Sequence, residues 1–190
     1  MAHLFSIGHG NKSIDLFIQE LQSFNVNFLI DIRSKPYSKW NTDFNSGLLE
    51  ILITKQNIKY KYWGKELGGL PEDISCYKDG KVEYDILKTK DYFQNALGRL
   101  LDAEKKGHNV AIMCSESNPA ECHRTKLIGA ELQEKDVNLR HIVGINEEKS
   151  QNDVINELTK GLGKKTLFSE TEESPEYKYT YRFQSRKAYI

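Results

Sequence analysis

At 190 residues the chain fits one domain of ordinary size, able to bury roughly 70% of its unfolded surface without staples. Its 27 basic and 27 acidic residues give a formal net charge of zero, which excludes a whole-protein field that holds nucleic acid or an anionic membrane, so any anion site must be local. Three cysteines are too few for a secreted disulfide framework, and neither a signal-like start nor a run of roughly 18 apolar residues is present; the expectation is a cytoplasmic protein with reduced thiols and no membrane partner.

In chain order, Leu4 to Ile7 reads as a short strand ended by the Gly8-His9-Gly10 turn. Ser13 then caps a helix with apolar residues at Ile14, Phe17, Ile18, Leu21 and Phe24. "VNFLIDIRS" is a continuous apolar run ending in Asp31 and Arg33, as in a strand buried on both faces. Leu48 to Gln56 has a helical pattern and Ile58 to Trp63 a strand pattern. "LGGLP" and an irregular segment around Lys78 to Lys81 follow. Tyr92 to Ala103 is a helix stopped by Gly107, "NVAIMC" a buried strand, Pro119 to about Gln133 a helix, "LRHIV" a strand and Asp153 to Leu162 a helix. This alternation predicts an α/β fold, a mostly parallel Rossmann-like open sheet with helices on both faces, over residues 1–163. Residues 164–190 form a C-terminal extension in which "YKYTYRF" has the alternation of an aromatic strand or arm packing on the domain.

In such a sheet Gly8, His9, Asp31, Arg33 and Cys114 fall at the carboxyl ends of strands, where ligands bind in open α/β folds. Asp31 and Arg33, two apart, share one side of their strand, so a mutual ion pair is the alternative to a site role. In "IMCSESNPAECHR" Asn118, Pro119 and Glu121 suit N-cap, N1 and N3 of a helix. A helical projection from there puts Arg124 in the inward stripe, facing a bound anion or the carboxylate of Asp31 or Glu116, and turns Cys122 to roughly the opposite side.

Three chemistries fit. Cys114, before a helix start and near Arg124 and His123, suits a nucleophile, although the residue where a phosphatase loop needs arginine is Ala120, and a buried, inert thiol at the end of an apolar strand is the alternative. Cys114, Glu116, Cys122 and His123, with His9 or His141, are permissible metal ligands, but Cys-x7-Cys-His lacks the short Cys-x2-Cys hook. An anion site would draw on the Gly8-His9-Gly10 amides, Arg33, Lys39 and Arg124. Outside this cluster Tyr37, Trp40 and Phe44 interleave with Lys35 and Lys39, a pattern that suits stacking on single-stranded nucleic acid or a loop that buries its own aromatics.

"SIGHGN", "LIDIRSKPYS", "IKYKYWGKELGG" and "IMCSESNPAECHR…LRHI" together resemble the signature blocks of the bacterial domain-of-unknown-function family 488. The resemblance implies that Gly8, His9, Asp31, Arg33, Ser34, Pro36, Ser38, Gly68, Gly69, Cys114, Glu116, Cys122, His123 and Arg124 are motif positions; it implies no reaction. The leading expectation is an enzyme acting on an anionic, nucleotide- or nucleic-acid-like substrate. Cys114, His9, Glu116, Asp31 and His123 are its catalytic candidates, and Arg33, Arg124, Ser34, Lys39 and Tyr37 hold the substrate. The alternatives are a non-catalytic nucleic-acid or ligand-binding module and a metal-dependent enzyme. The sequence identifies no cofactor.

Overall fold

The computed structural model of the protein describes residues 3 to 159. Its main sheet has six strands: β1 (Leu4–Gly8), β2 (Phe28–Asp31), β3 (Lys59–Tyr62), β6 (Val110–Cys114), β7 (Arg140–Gly144) and β8 (Glu147–Ser150). They lie in the order β3-β2-β6-β1-β7-β8, the first five parallel and β8 antiparallel on β7. Between them run helices α1 (Ile14–Ser23), α2 (Ser46–Thr54), α3 (Gly64–Leu67), α4 (Tyr84–Leu87), α5 (Asp91–Lys105), α6 (Ala130–Gln133) and α7 (Gln151–Leu158). The segment expected to be irregular is a small hairpin, β4 (Tyr77–Lys78) with β5 (Lys81–Val82).

Strand alternation sorts the core into two layers. Phe5, Ile7, Leu29, Ala111 and Met113 face α1 and α2 through Phe17, Leu21, Leu49 and Ile53. Leu4, Ile30, Val110, Ile112 and Cys114 face α5 and the helical segment after residue 123, through Phe93, Leu97, Leu100, Leu127 and Ile128. Both faces of the central strands are therefore covered, which is why those strands read as unbroken apolar runs. Ser13 caps α1 as expected, its Oγ accepting from Leu16 N at 3.2 Å. Strand β8 was hidden in the sequence because "EEKS" is polar and lies at the sheet edge, where charge discourages further pairing. The expected aromatic strand or arm, "YKYTYRF", lies outside the described residues, as does residues 164–190 as a whole.

The helix expected from Pro119 to Gln133 is not continuous. Pro119–Glu121 is a single 3-10 turn capped by Asn118, whose side chain accepts from Ala120 N at 3.1 Å. Cys122 follows with extended backbone, φ −111° and ψ 150°, before a π-helical stretch over Arg124–Gly129 leads into α6. A π-helical turn inside a helix is uncommon and often marks a functional site.

Candidate functional site

The sheet brings the carboxyl ends of its three central strands, β2, β6 and β1, together, and their polar residues meet there. Asp31, with no exposure, is saturated. Its Oδ1 accepts from Arg33 N at 3.1 Å and Nε at 2.9 Å, and its Oδ2 from Arg33 Nη2 at 2.6 Å and the Tyr60 hydroxyl at 2.8 Å. The mutual ion pair that stood as the alternative to a site role is present, and Tyr60, one strand over on β3, is a buttress that no spacing argument revealed. Burial works against the Arg33 charge, but the Asp31 bonds outweigh it and push its pKa up.

The rest of Arg33 points onward. Nη2 also donates to Phe44 O at 2.7 Å, and Nη1 donates to His9 Nε2 at 3.4 Å. Of the five N–H groups of this guanidinium, one on Nη1 has no partner among the described residues. His9 stacks on Phe44 at 4.4 Å and donates from Nδ1 to Gly10 O at 2.9 Å. Burial, then the Arg33 charge, lowers its pKa to about 4, so it is a neutral imidazole at pH 7.

On the other face of β6 stands a cluster of sulfur, oxygen and nitrogen. Cys114 Sγ lies 2.7 Å and Cys122 Sγ 3.2 Å from the same Glu116 Oε2, and the two sulfurs are 3.8 and 3.7 Å from His123 Nδ1. Neither cysteine is in a disulfide. This corrects the expectation that Cys122 turns away. The projection assumed an α-helix from Pro119, but the extended conformation at Cys122 breaks the helical phase and sends its side chain back to Cys114. Hydrogen bonding to Cys122, and then burial, push the Cys114 thiol well above its ordinary pKa. Burial opposes ionisation of Cys122 as well, yet the bond from Cys114 and the charges of Arg124 and His123 prevail and hold it well below. The His123 pKa is raised, the Cys122 thiolate outweighing burial. The arrangement is a buried pair of thiols against one carboxylate oxygen and an imidazole, with Cys122 the more readily ionised of the two.

Arg124 is inward-facing as predicted, only 1% exposed, but its partners are a second correction. Asp31 is taken by Arg33 and Tyr60. Instead Nη1 donates to Ile7 O at 3.2 Å and Glu116 O at 2.7 Å, and Nη2 donates to Ser117 O at 3.0 Å. It ties the loop after β6 to the end of β1, and its charge favours ionisation of both cysteines; it does not line the cavity. Gly8 makes this possible, since a Cβ there would lie 1.8 Å from Glu116 O and 2.6 Å from Arg124 Nη1. Gly69 does the same for His123, with a Cβ 2.9 Å from ring atoms Cγ and Nδ1.

A cavity of about 150 Å³ opens between the two halves, lined by Arg33, Ser34, Lys35, Cys114, Glu116 and His123 among others. It admits a small group such as one phosphate rather than a whole nucleotide, since sites for drug-sized ligands run to roughly 300–1,000 Å³. Ser34 lines it, with Oγ accepting from Leu70 N at 2.9 Å. Tyr37 and Lys39 do not: both are solvent-exposed, Tyr37 at 73%, and Trp40 beside them is 96% exposed. Only Phe44 of the loop aromatics folds inward. His141 lies away from the cavity, between Ser6 Oγ and Gln151 Oε1. Lys35, which the sequence suggested only as part of a stacking loop, belongs to the cavity wall.

Fold and site define a mostly parallel α/β protein with a thiol, imidazole and guanidinium pocket at the carboxyl edge of its sheet. Residues 13–130 match the family model described as Domain of unknown function DUF488, and the chain belongs to that family. The match takes in Asp31, Arg33 and the whole Cys114–Arg124 segment, while Gly8 and His9 precede it. No curated protein and no solved structure matches the chain. Among the described residues no helix is long and apolar enough to cross a membrane.

Proposed function

We propose that the protein is an enzyme acting on a substrate that carries a small anionic group of phosphate type. The observation behind this is the Arg33 guanidinium, locked by Asp31, with one Nη1 hydrogen unspent on a wall it shares with Cys114 and His123. A rigid guanidinium with a spare donor in a part-closed cavity suits an anion. His9, neutral, donates to Gly10 O and accepts from Arg33, which orients Nη1. Cys114 is the sulfur that meets the substrate, with His123 beside it on the wall and Cys122 beneath, as ligand of an ion or, once deprotonated, as attacking atom. The cavity takes only the charged end, so a nucleotide or a single-stranded nucleic acid would lie across its mouth.

The test is calorimetric titration of the folded protein with inorganic phosphate and nucleoside monophosphates, alongside Arg33→Lys. Affinity should fall at least about tenfold in the variant, because a lysine cannot keep both the Asp31 fork and a spare donor. Phosphate should also slow alkylation of Cys114 in the unaltered protein. Absence of both effects would overturn the reading.

A second reading, a non-catalytic module for single-stranded nucleic acid, is favoured by the exposure of Trp40 and Tyr37 next to Lys35 and Lys39. It predicts oligonucleotide binding that weakens steeply with salt, is lost in Trp40→Ala, and is indifferent to Cys114→Ser.

A further inference from the structure

We infer that Cys114, Cys122 and His123, with the Glu116 carboxylate beside them, form a binding site for a single divalent cation of the zinc class. The atoms Cys114 Sγ, Cys122 Sγ and His123 Nδ1 all lie within 4.8 Å of one another. A tetrahedral zinc site with Zn–S near ~2.3 Å and Zn–N or Zn–O near ~2.0 Å has donor-to-donor edges of roughly 3.5–3.8 Å. The two sulfur–nitrogen distances, 3.8 and 3.7 Å, already have that length. The Glu116 oxygen, at 2.7 and 3.2 Å from the sulfurs, stands beside this triad as a neighbouring carboxylate.

The frame that holds these donors is rigid. Cys114 ends a central strand, Cys122 sits in the extended link between the 3-10 turn and the π-helical stretch, and Gly69 gives the His123 ring its place. This link replaces the short Cys-x2-Cys hook whose absence argued against a metal. Two thiolates with an imidazole select a borderline-soft cation over calcium or magnesium. Charge also closes: two thiolates and a carboxylate carry three negative charges and the cation returns two. The Arg124 guanidinium, bonded to Glu116 O at 2.7 Å and Ser117 O at 3.0 Å, supplies a positive charge beside the remainder.

The site is closed behind and open in front. Cys114, Glu116 and His123 line the cavity, whereas Cys122 lies beneath it at 1% exposure. Three protein donors, two of them on the cavity wall, leave the fourth position to the cavity side, the pattern of a catalytic rather than a structural zinc site. Metal binding rests on the donor cluster alone; only the approach of a substrate anion from Arg33 rests on the function proposed above.

The experiment uses the full chain, purified reduced and without chelator, titrated with zinc against a chromophoric chelator and separately with cobalt(II). Expected are one equivalent of either ion per chain and, for cobalt, a thiolate-to-metal charge-transfer band with the strong ligand-field absorption of tetrahedral geometry. Cys114→Ser and Cys122→Ser should each abolish the charge-transfer pattern or reduce it to that of one sulfur. Glu116→Gln should keep the band and weaken affinity by about 10-fold or more. Zinc should slow alkylation of Cys114 and Cys122 in the unaltered protein and leave Cys76 as it was, a readout that survives if a serine variant fails to fold. A folded protein with no cobalt charge-transfer band, or zinc affinity undiminished in the Cys114→Ser/Cys122→Ser double variant, overturns the inference. Phosphate affinity of the metal-free protein separates the two proposals. If phosphate binds and zinc does not, only the metal site falls; if zinc binds and phosphate affinity ignores Arg33→Lys, only the anion reading falls.

Discussion

Replacing Asp31 by asparagine keeps the shape of the side chain and removes its charge, and the surroundings make that change severe. Both carboxylate oxygens are filled by donors: Arg33 N and Nε on Oδ1, Arg33 Nη2 and the Tyr60 hydroxyl on Oδ2. An amide can present its oxygen to only one of these pairs, so its own NH₂ must face Arg33 N–H groups on the other side. The Arg33 charge is then buried, at 4% exposure, without its counter-ion. Breaking a buried ion pair from one side costs about 3–5 kcal/mol. With a urea m-value near ~2 kcal/mol/M, the unfolding midpoint should drop by roughly 2 M. Tyr60→Phe removes one donor of the four and leaves the ion pair whole, for about 1 kcal/mol and a shift of about 0.5 M. Urea titrations followed by far-UV circular dichroism measure both. A midpoint for Asp31→Asn no lower than that for Tyr60→Phe would refute the claim that Arg33 is held by charge.

Acid should weaken the fold through His141. Burial lowers its pKa to about 4 from 6.5, with Arg124 adding to the effect. It is held neutral with Ser6 Oγ at 2.6 Å on Nδ1 and Gln151 Oε1 at 2.8 Å on Nε2. The unfolded chain binds the proton first, so its contribution is complete above about pH 6.5 and is lost as pH falls toward 4, up to about 3 kcal/mol. Stability curves of the unaltered protein and His141→Gln should converge in acid, and parallel curves would exclude this assignment. Gly8→Ala should destabilise by about 3 kcal/mol or prevent folding, because the clash at 1.8 Å is with backbone, whereas Gly98→Ala, within α5 and with nothing within 4 Å of its Cβ, should stabilise by about 0.5–1 kcal/mol. Thermal melts of the two variants test the contrast, and equal effects would refute it.

Much of this protein was legible in its chain order. Apolar runs such as Val110 to Cys114 specify strands buried on both faces, and their alternation with helices at 3.6-residue spacing leaves few topologies besides a parallel sheet. The same topology places His9, Asp31, Arg33 and Cys114 on one edge before any contact is known. The Asp31–Arg33 pair and the inward turn of Arg124 likewise follow from local periodicity.

What periodicity could not supply were contacts between distant segments and departures from regular backbone. Tyr60 reaches Asp31 through strand pairing, and Gly69 meets His123 across 54 positions of sequence, neither of which a local window contains. The role of Cys122 inverted for a related reason. A projection at 100° per residue holds only while the helix is regular, and one extended residue between a 3-10 turn and a π-helical stretch resets the phase. The sequence by itself thus determined which residues crowd the sheet edge, since burial and periodicity are local properties. Only the tertiary structure decided that Arg33 keeps a spare donor among the described residues, that Arg124 spends itself on carbonyls, and that two thiols and an imidazole close on one point beside a carboxylate.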